Sequence, residues 1–348
     1  MTDRRPMHVL LYRPPWHFGT PYFRARQVAA HFRRRGDRVT IVAGPRGWSS
    51  LQRLLSWPWH LARADLIFLY PQLLLFFFAL TAKLLRRHVV IDHYVSYVRM
   101  ADVSRWGGHW LAAFEKAAYC LADAVLAHTE SVARAVQDAH DLPDDRIYTV
   151  YSLVDTTYFA PVYGDKAARL RREIGLTDRF VVLYHGKLHP WHGVETLRAA
   201  VGRLTEAGEP VALVLIGPTG EGGAHERLLG GIAYADLPPY IQMADVWCSG
   251  FTNLPRGDRS FSSTMIQALA MARPVITSPS PEKARLLRDG ETIFFVPPDD
   301  PDALAEVIRY CRLHPDTARR VGQAGRRLAQ EIFDIAAFDE LLERFARL

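Results

Sequence analysis

Residues 261–276 read FSSTMIQALAMARPVI. Met265, Ile266, Leu269 and Ala270 recur at the three-to-four spacing of a helix with a buried face. Arg273-Pro274 stops that helix, and Val275-Ile276 opens a buried strand. Ser262, Ser263 and Thr264 stand in front of it, where their hydroxyls and N–H groups suit either helix capping or contact with a phosphate.

Outward from this stretch the same strand–helix alternation fills the chain. On its N-terminal side lie a strand at Phe180–Tyr184, a helix at Val194–Glu206, a strand at Val211–Ile216 ending in Gly217-Pro218, and a short strand at Asp245–Cys248. On its C-terminal side a strand is expected at Thr292–Val296, an amphipathic helix at Ala303–Arg312, and a tail, Thr317–Leu348, helical throughout. A first set of elements precedes these. Strands are expected at His8–Tyr12, Arg38–Ala43, Asp65–Tyr70, His88–Ile91, Ala124–Ala127 and Ile147–Val150, and helices at Tyr22–Arg35, from Leu73, and at Trp110–Ala122. Such regular alternation predicts an α/β chain of two doubly wound units, each with a parallel sheet covered on both faces. Ligands of such sheets sit at the carboxyl ends of the strands, so a cleft between the units is the expected site. The division is placed at 1–160 and 161–330, with 331–348 a C-terminal helix expected to pack back toward the N-terminal domain.

The bulk properties agree. At 348 residues there is room for two cores, and 49% hydrophobic and 23% charged residues are ordinary globular values. The net charge of +6 is uneven: residues 1–160 carry 20 Lys/Arg against 13 Asp/Glu, the remainder 23 against 24. A basic first half suits phosphates, an anionic membrane surface or nucleic acid, or is an ordinary solvated surface in an arginine-rich chain. No recognised nucleic-acid motif accompanies it, so nucleic acid is set aside. Cys120, Cys248 and Cys311 form neither a zinc spacing nor a disulfide framework, which fits a reducing cytoplasm. The apolar run in the opening MTDRRPMHVLLYRPP is only strand-length, so no signal peptide is expected. Residues 66–85, LIFLYPQLLLFFFALTAKLL, have the length of a membrane span, but Pro71-Gln72 divides them into a buried strand and a helix. A helix touching a bilayer from one side fits better than a span.

Four landmarks now align with one family. They are the opening strand, Gly19 loop and helix followed by 36–41 (GDRVTI); 151–161 (YSLVDTTYFAP); 185–193 (HGKLHPWHG); and the 261–276 segment with Asp289-Gly290 and Val296-Pro297 after it. In this order the chain resembles, over nearly its whole length, the GT-B retaining glycosyltransferases of family 4. The resemblance implies two Rossmann-like domains facing each other across a cleft, the first holding an acceptor and the second a nucleotide diphosphate sugar. It implies no cofactor and no metal; no Asp-x-Asp motif stands in a suitable loop, and no Walker loop or Gly-x-Gly-x-x-Gly fingerprint is present. The expected place is the cytoplasm or the inner face of the cell membrane.

Residue by residue, the resemblance sets Gly19 against the donor diphosphate, beside Phe18 on the acceptor side. Gly186 and Lys187 follow a strand, and Lys187 with His192 take the places where the family keeps an arginine and a lysine to neutralise the departing diphosphate. Lysine lacks the bidentate fork of arginine, and histidine is cationic only if its pKa reaches the ambient pH. Two family glutamates become Arg259 and Gln267. Gln267 still offers a carbonyl oxygen to the nucleotide ribose, while Arg259 either supplies a lost cation or marks a decayed site, with Asp258 adjacent as a stand-in acid. Gly217 closes a strand near the nucleotide. His93, beside Asp92, falls where the family places a histidine next to the transferred sugar; Tyr94, Tyr97, Arg99 and His128 extend the acceptor side. Each also has a plain structural reading. His93, Lys187 and Arg259 are the catalytic candidates, and Trp57-Pro58-Trp59, Arg53 and Arg63 suit a membrane or phosphorylated acceptor. The competing reading is an inactive glycosyltransferase-like partner or regulator.

Overall fold

A computed structural model describes residues 5–13, 20–43, 57–70, 75–93, 108–220, 222–253 and 261–348. Two compact units emerge: residues 1–152 with 338–348, and residues 153–337.

In the first unit the strands are β1 (His8–Arg13), β2 (Arg38–Ala43), β3 (Leu66–Leu69), β4 (His88–His93), β5 (Ala124–Ala127) and β6 (Ile147–Thr149). They form one parallel sheet in the order β2-β1-β3-β4-β5-β6. Its helices are α1 (Thr20–Arg34), α2 (Trp57–Arg63), α3 (Leu75–Leu84), α4 (Gly108–Leu121) and α5 (Glu130–His140). Within that apolar run Leu66–Leu69 is thus a strand and Leu75–Leu84 a helix, and no helix among the described residues is long and apolar enough to cross a membrane. Leu66–Leu69 are all buried, as continuous apolar strands covered on both faces must be.

The second unit holds α6 (Gly164–Glu173), β7 (Phe180–His185), α7 (Val194–Glu206), β8 (Val211–Ile216), β9 (Glu226–Leu228), α8 (Leu237–Gln242), β10 (Val246–Cys248), α9 (Ser263–Ala270), β11 (Val275–Thr277), α10 (Pro281–Leu286), β12 (Phe294–Phe295), α11 (Pro301–Leu313) and α12 (Pro315–Ile332). Its sheet is again parallel, ordered β12-β11-β10-β7-β8-β9. Strand order reverses between β7 and β10, the switch point at which such sheets bind ligands beyond their carboxyl ends. Val194, Leu197, Ala200, Val201 and Leu204 of α7 are buried at helical spacing against this sheet. Gly322 and Gly325 let α12 approach closely, since a Cβ there would meet Ala272 O at 2.4 Å and Thr292 O at 2.8 Å.

The tail is not helical throughout. It breaks at Phe333-Asp334 before α13 (Ile335–Phe345). Asp334 Oδ1 accepts from Ala336 N at 2.8 Å, and Oδ2 accepts from the Thr156 backbone N–H at 3.1 Å and from its hydroxyl. A carboxylate that caps the next helix and bonds a distant loop cannot sit in a helix interior. Within the first unit α13 is held by His31 and Arg34 to Asp339, each 2.8 Å, by Arg35 to Glu343 at 2.5 Å, and by Phe345 against Phe68 and Tyr148.

Candidate functional site

The carboxyl end of β7 is where the sequence-predicted donor residues gather. Gly186 follows β7 with φ +139°, and Gly217 follows β8 with φ +122°. Their backbones nearly touch: a Cβ on Gly217 would lie 2.3 Å from Gly186 O. Only glycine satisfies both the left-handed φ and that approach. Tyr184, buried in β7, donates its hydroxyl to Lys187 O at 2.6 Å and so pins the turn from which exposed Lys187 projects. The Tyr184 ring also meets the His192 ring, with centroids 5.8 Å apart. A Cβ on Gly186 would stand 3.6 Å from Thr264 Cγ2, which puts the first turn of α9 at the same place. Gly186, Lys187, His192, Gly217 and Thr264 are thereby brought together.

Ser262 is the N-cap of α9, its Oγ accepting from Met265 N at 3.1 Å, and Ser263 opens the helix. The capping reading of Ser262 is thus realised, and the positive end of the α9 dipole lies beside the Gly186 turn. His192 stands in the short turn Pro190–His192. Burial and the neighbouring His189 lower its pKa to about 4, so it is a neutral imidazole at pH 7 and not a second cation.

Gln267 is buried one turn into α9, and its partner escaped the sequence reading. Trp247 Nε1–H donates to His185 Nδ1 at 2.9 Å, and His185 Nε2 lies 2.9 Å from Gln267 Oε1. An indole nitrogen only donates, so Nδ1 is the acceptor and the proton of the neutral ring sits on Nε2. Burial keeps that ring neutral, lowering its pKa to about 4 against the opposing bond to Gln267. His185 therefore donates to Gln267 Oε1, and the amide orientation is fixed by the network. The oxygen the sequence reading assigned to a ribose already accepts one hydrogen bond. Within the strand FVVLYH, His185 carried one usable signal: it is the polar residue ending an apolar strand immediately before a glycine.

In the first unit His93 ends β4 and pairs with Ala127 in the ladder, so His128 lies one residue beyond at the same sheet edge. His93 is buried, and its Nδ1 is hydrogen-bonded to the Tyr119 hydroxyl. Asp92 is committed elsewhere, to Arg24 at 2.6 Å, with both side chains 2% exposed. Burial pushes the Asp92 carboxyl up against the pull of Arg24 and of a hydrogen bond from Tyr70. Arg24 also donates to the carbonyls of Val150 (2.6 Å) and Tyr151 (3.3 Å). Phe18, Gly19, Tyr94, Tyr97, Arg99, Asp258, Arg259 and Arg53 lie outside the described residues. Among the described residues no three His, Cys, Asp or Glu side chains are grouped to hold a metal ion.

Comparison with known proteins places this arrangement. Residues 23–158 match the family described as Glycosyltransferase Family 4, and residues 179–312 match Glycosyl transferases group 1. The D-inositol 3-phosphate glycosyltransferase of Thermomonospora curvata is 28% identical over 242 residues, 64% of this chain and 56% of that protein. The alpha-D-kanosaminyltransferase of Streptomyces kanamyceticus is 23% identical over 259 residues, 71% of this chain and 64% of that protein. The chain spans about half the length of the inositol phosphate enzymes it matches. Anabaena HepE, solved in complex with UDP and glucose, superposes with a TM-score of 0.75 at 17% identity, covering 98% of this chain and all of HepE. Two parallel sheet units and two family matches lead to one conclusion: the chain is built of a Glycosyltransferase Family 4 unit followed by a Glycosyl transferases group 1 unit, on the GT-B fold.

Proposed function

We propose that this chain transfers a sugar from a nucleotide diphosphate sugar to a hydroxyl of a glycan, a lipid-linked sugar or a natural product, with retention of configuration and without a metal ion. The observation that carries the reading is the convergence of the Gly186-Lys187 turn, Gly217 and the first turn of α9 at the β7/β10 switch point. Backbone N–H groups at such turns, a helix N-terminus and a lysine suit the developing charge of a departing diphosphate. Because His192 is neutral, Lys187 takes that charge with Arg259, and His93 contacts the transferred sugar. The leaving phosphate helps to accept the acceptor proton in a front-face attack. Gly19, Ser263 and Thr264 complete the donor contacts, and Phe18, Tyr94 and His128 hold the acceptor. The UDP and glucose held by HepE support a nucleotide sugar donor. The same reading places the protein in the cytoplasm, in peripheral contact with the inner face of a membrane through its basic first half.

A donor screen by mass spectrometry tests it: one nucleotide sugar should be consumed by the wild type and spared by Lys187→Ala. A second reading, an inactive glycosyltransferase-like partner, is favoured by neutral His192 and by glutamine at 267. That reading requires that no donor be consumed and no nucleotide diphosphate bind.

A further inference from the structure

We propose that the outer face of the α2–α3–α4 layer docks on an anionic lipid bilayer. The starting point is α3, LFFFALTAKL. Leu75, Phe78, Ala79 and Ala82 form its buried stripe, as a helix packed on a sheet requires. The opposite stripe should then be polar. Instead Phe77 is 52% exposed and Leu84, two turns on, is 75% exposed. Thr81 lies between them and turns its hydroxyl back to Phe77 O at 2.7 Å, so it presents little polarity outward. Phe114 of α4, 40% exposed, packs against the rings of Phe76 and Phe77 and continues the apolar surface. Large side chains clustered at a surface mark an interaction site, whereas isolated ones do not.

The charge around this face selects the partner. The sequences of the three helices contain one acidic residue, Glu115, and it is buried. Lys83 and Lys116 are paired with Asp123 and Asp141. Arg63 lies over the ring of Trp59 at 3.6 Å, and Trp59 is itself 51% exposed; Arg86 follows α3 and is exposed. Aromatic rings flanked by arginine suit the headgroup level of an anionic leaflet, where rings sink to the acyl boundary and cations meet phosphate. A second copy fits poorly. A two-fold contact would set the arginines of both copies at one interface with no exposed carboxylate on these helices to meet them. The inference deepens the membrane part of the reading above and is independent of its donor chemistry.

The test is sedimentation of the full chain with vesicles of phosphatidylcholine alone and of phosphatidylcholine with phosphatidylglycerol. The wild type should pellet with the anionic vesicles. The double variant Phe77→Ser/Phe114→Ser should lose affinity by at least roughly tenfold, and Leu84→Ser by a few-fold, with the wild-type nucleotide response kept in both. Leu84 is exposed enough that its variant decides the matter if the double variant fails to fold. Three results would each overturn the proposal: wild type remaining in solution with both vesicles, variants pelleting like wild type, or a wild-type dimer that the double variant converts to monomer. The assay needs no donor, so its failure and that of the donor site are separable.

Discussion

Charge at the donor site comes down to a few side chains whose protonation burial decides. His192 and His185 are both lowered to about 4, so neither contributes a cation at neutral pH. Lys187 is then the exposed cation of the described turn. Lys187→Ala should reduce donor turnover by roughly 100-fold with the melting temperature of the free protein unchanged. The Trp247–His185–Gln267 chain predicts a second outcome. Gln267→Leu leaves a buried His185 N–H without an acceptor and should cost about 1–3 kcal/mol in urea unfolding. Gln267→Glu keeps an acceptor and should recover most of that loss. The sequence exposed Gln267 and Lys187 because they fall in recognisable segments. It hid the Trp247–His185 bond because two strand residues separated by 62 positions meet only once the sheet is assembled.

At the scale of elements, the switch-point turns and the tail carry the lessons. Gly217→Ala forces a Cβ to within 2.3 Å of Gly186 O at φ +122°. It should destabilise the fold by about 1–3 kcal/mol in chemical denaturation and abolish nucleotide binding together. Long, strongly periodic elements were legible: α7 and β8 run over the same residues that their patterns predict. Weakly patterned ones were not. Glu226–Leu228 is a three-residue edge strand of half-buried side chains with no apolar run to announce it. Gly164–Glu173 forms α6 with Ala167 as its buried residue, so no apolar stripe announces it. The tail looked continuous because apolar spacing persists across Phe333, which is itself buried against Phe261. Asp334 was the available stop signal, an N-cap residue directly before Ile335.

Across the whole molecule, the fold was legible because strand–helix alternation repeats through both halves and parallel sheets need no further information to form. Strand order, and with it the switch point that locates the site, was not readable, since it depends on which strands pair at long range. Stability should also report the buried imidazoles. His185 titrates near 6.5 when unfolded and about 4 when folded, so the unfolded chain binds more protons between these values. The resulting penalty on the folded state, on the order of 3 kcal/mol, is absent above pH 6.5 and builds up as pH falls toward 4. Urea midpoints measured from pH 7.5 to 4.5 should fall, and fall less steeply in His185→Gln. The central claim is that a nucleotide diphosphate binds at the Gly186-Lys187 turn beside α9. Melting curves of wild type and Lys187→Ala with a panel of nucleoside diphosphates test it most directly. A saturating nucleotide should raise the wild-type melting temperature by roughly 5 °C and leave Lys187→Ala nearly unmoved. A wild type that responds to none of them, or a Lys187→Ala variant that shifts as far as wild type, would contradict the account.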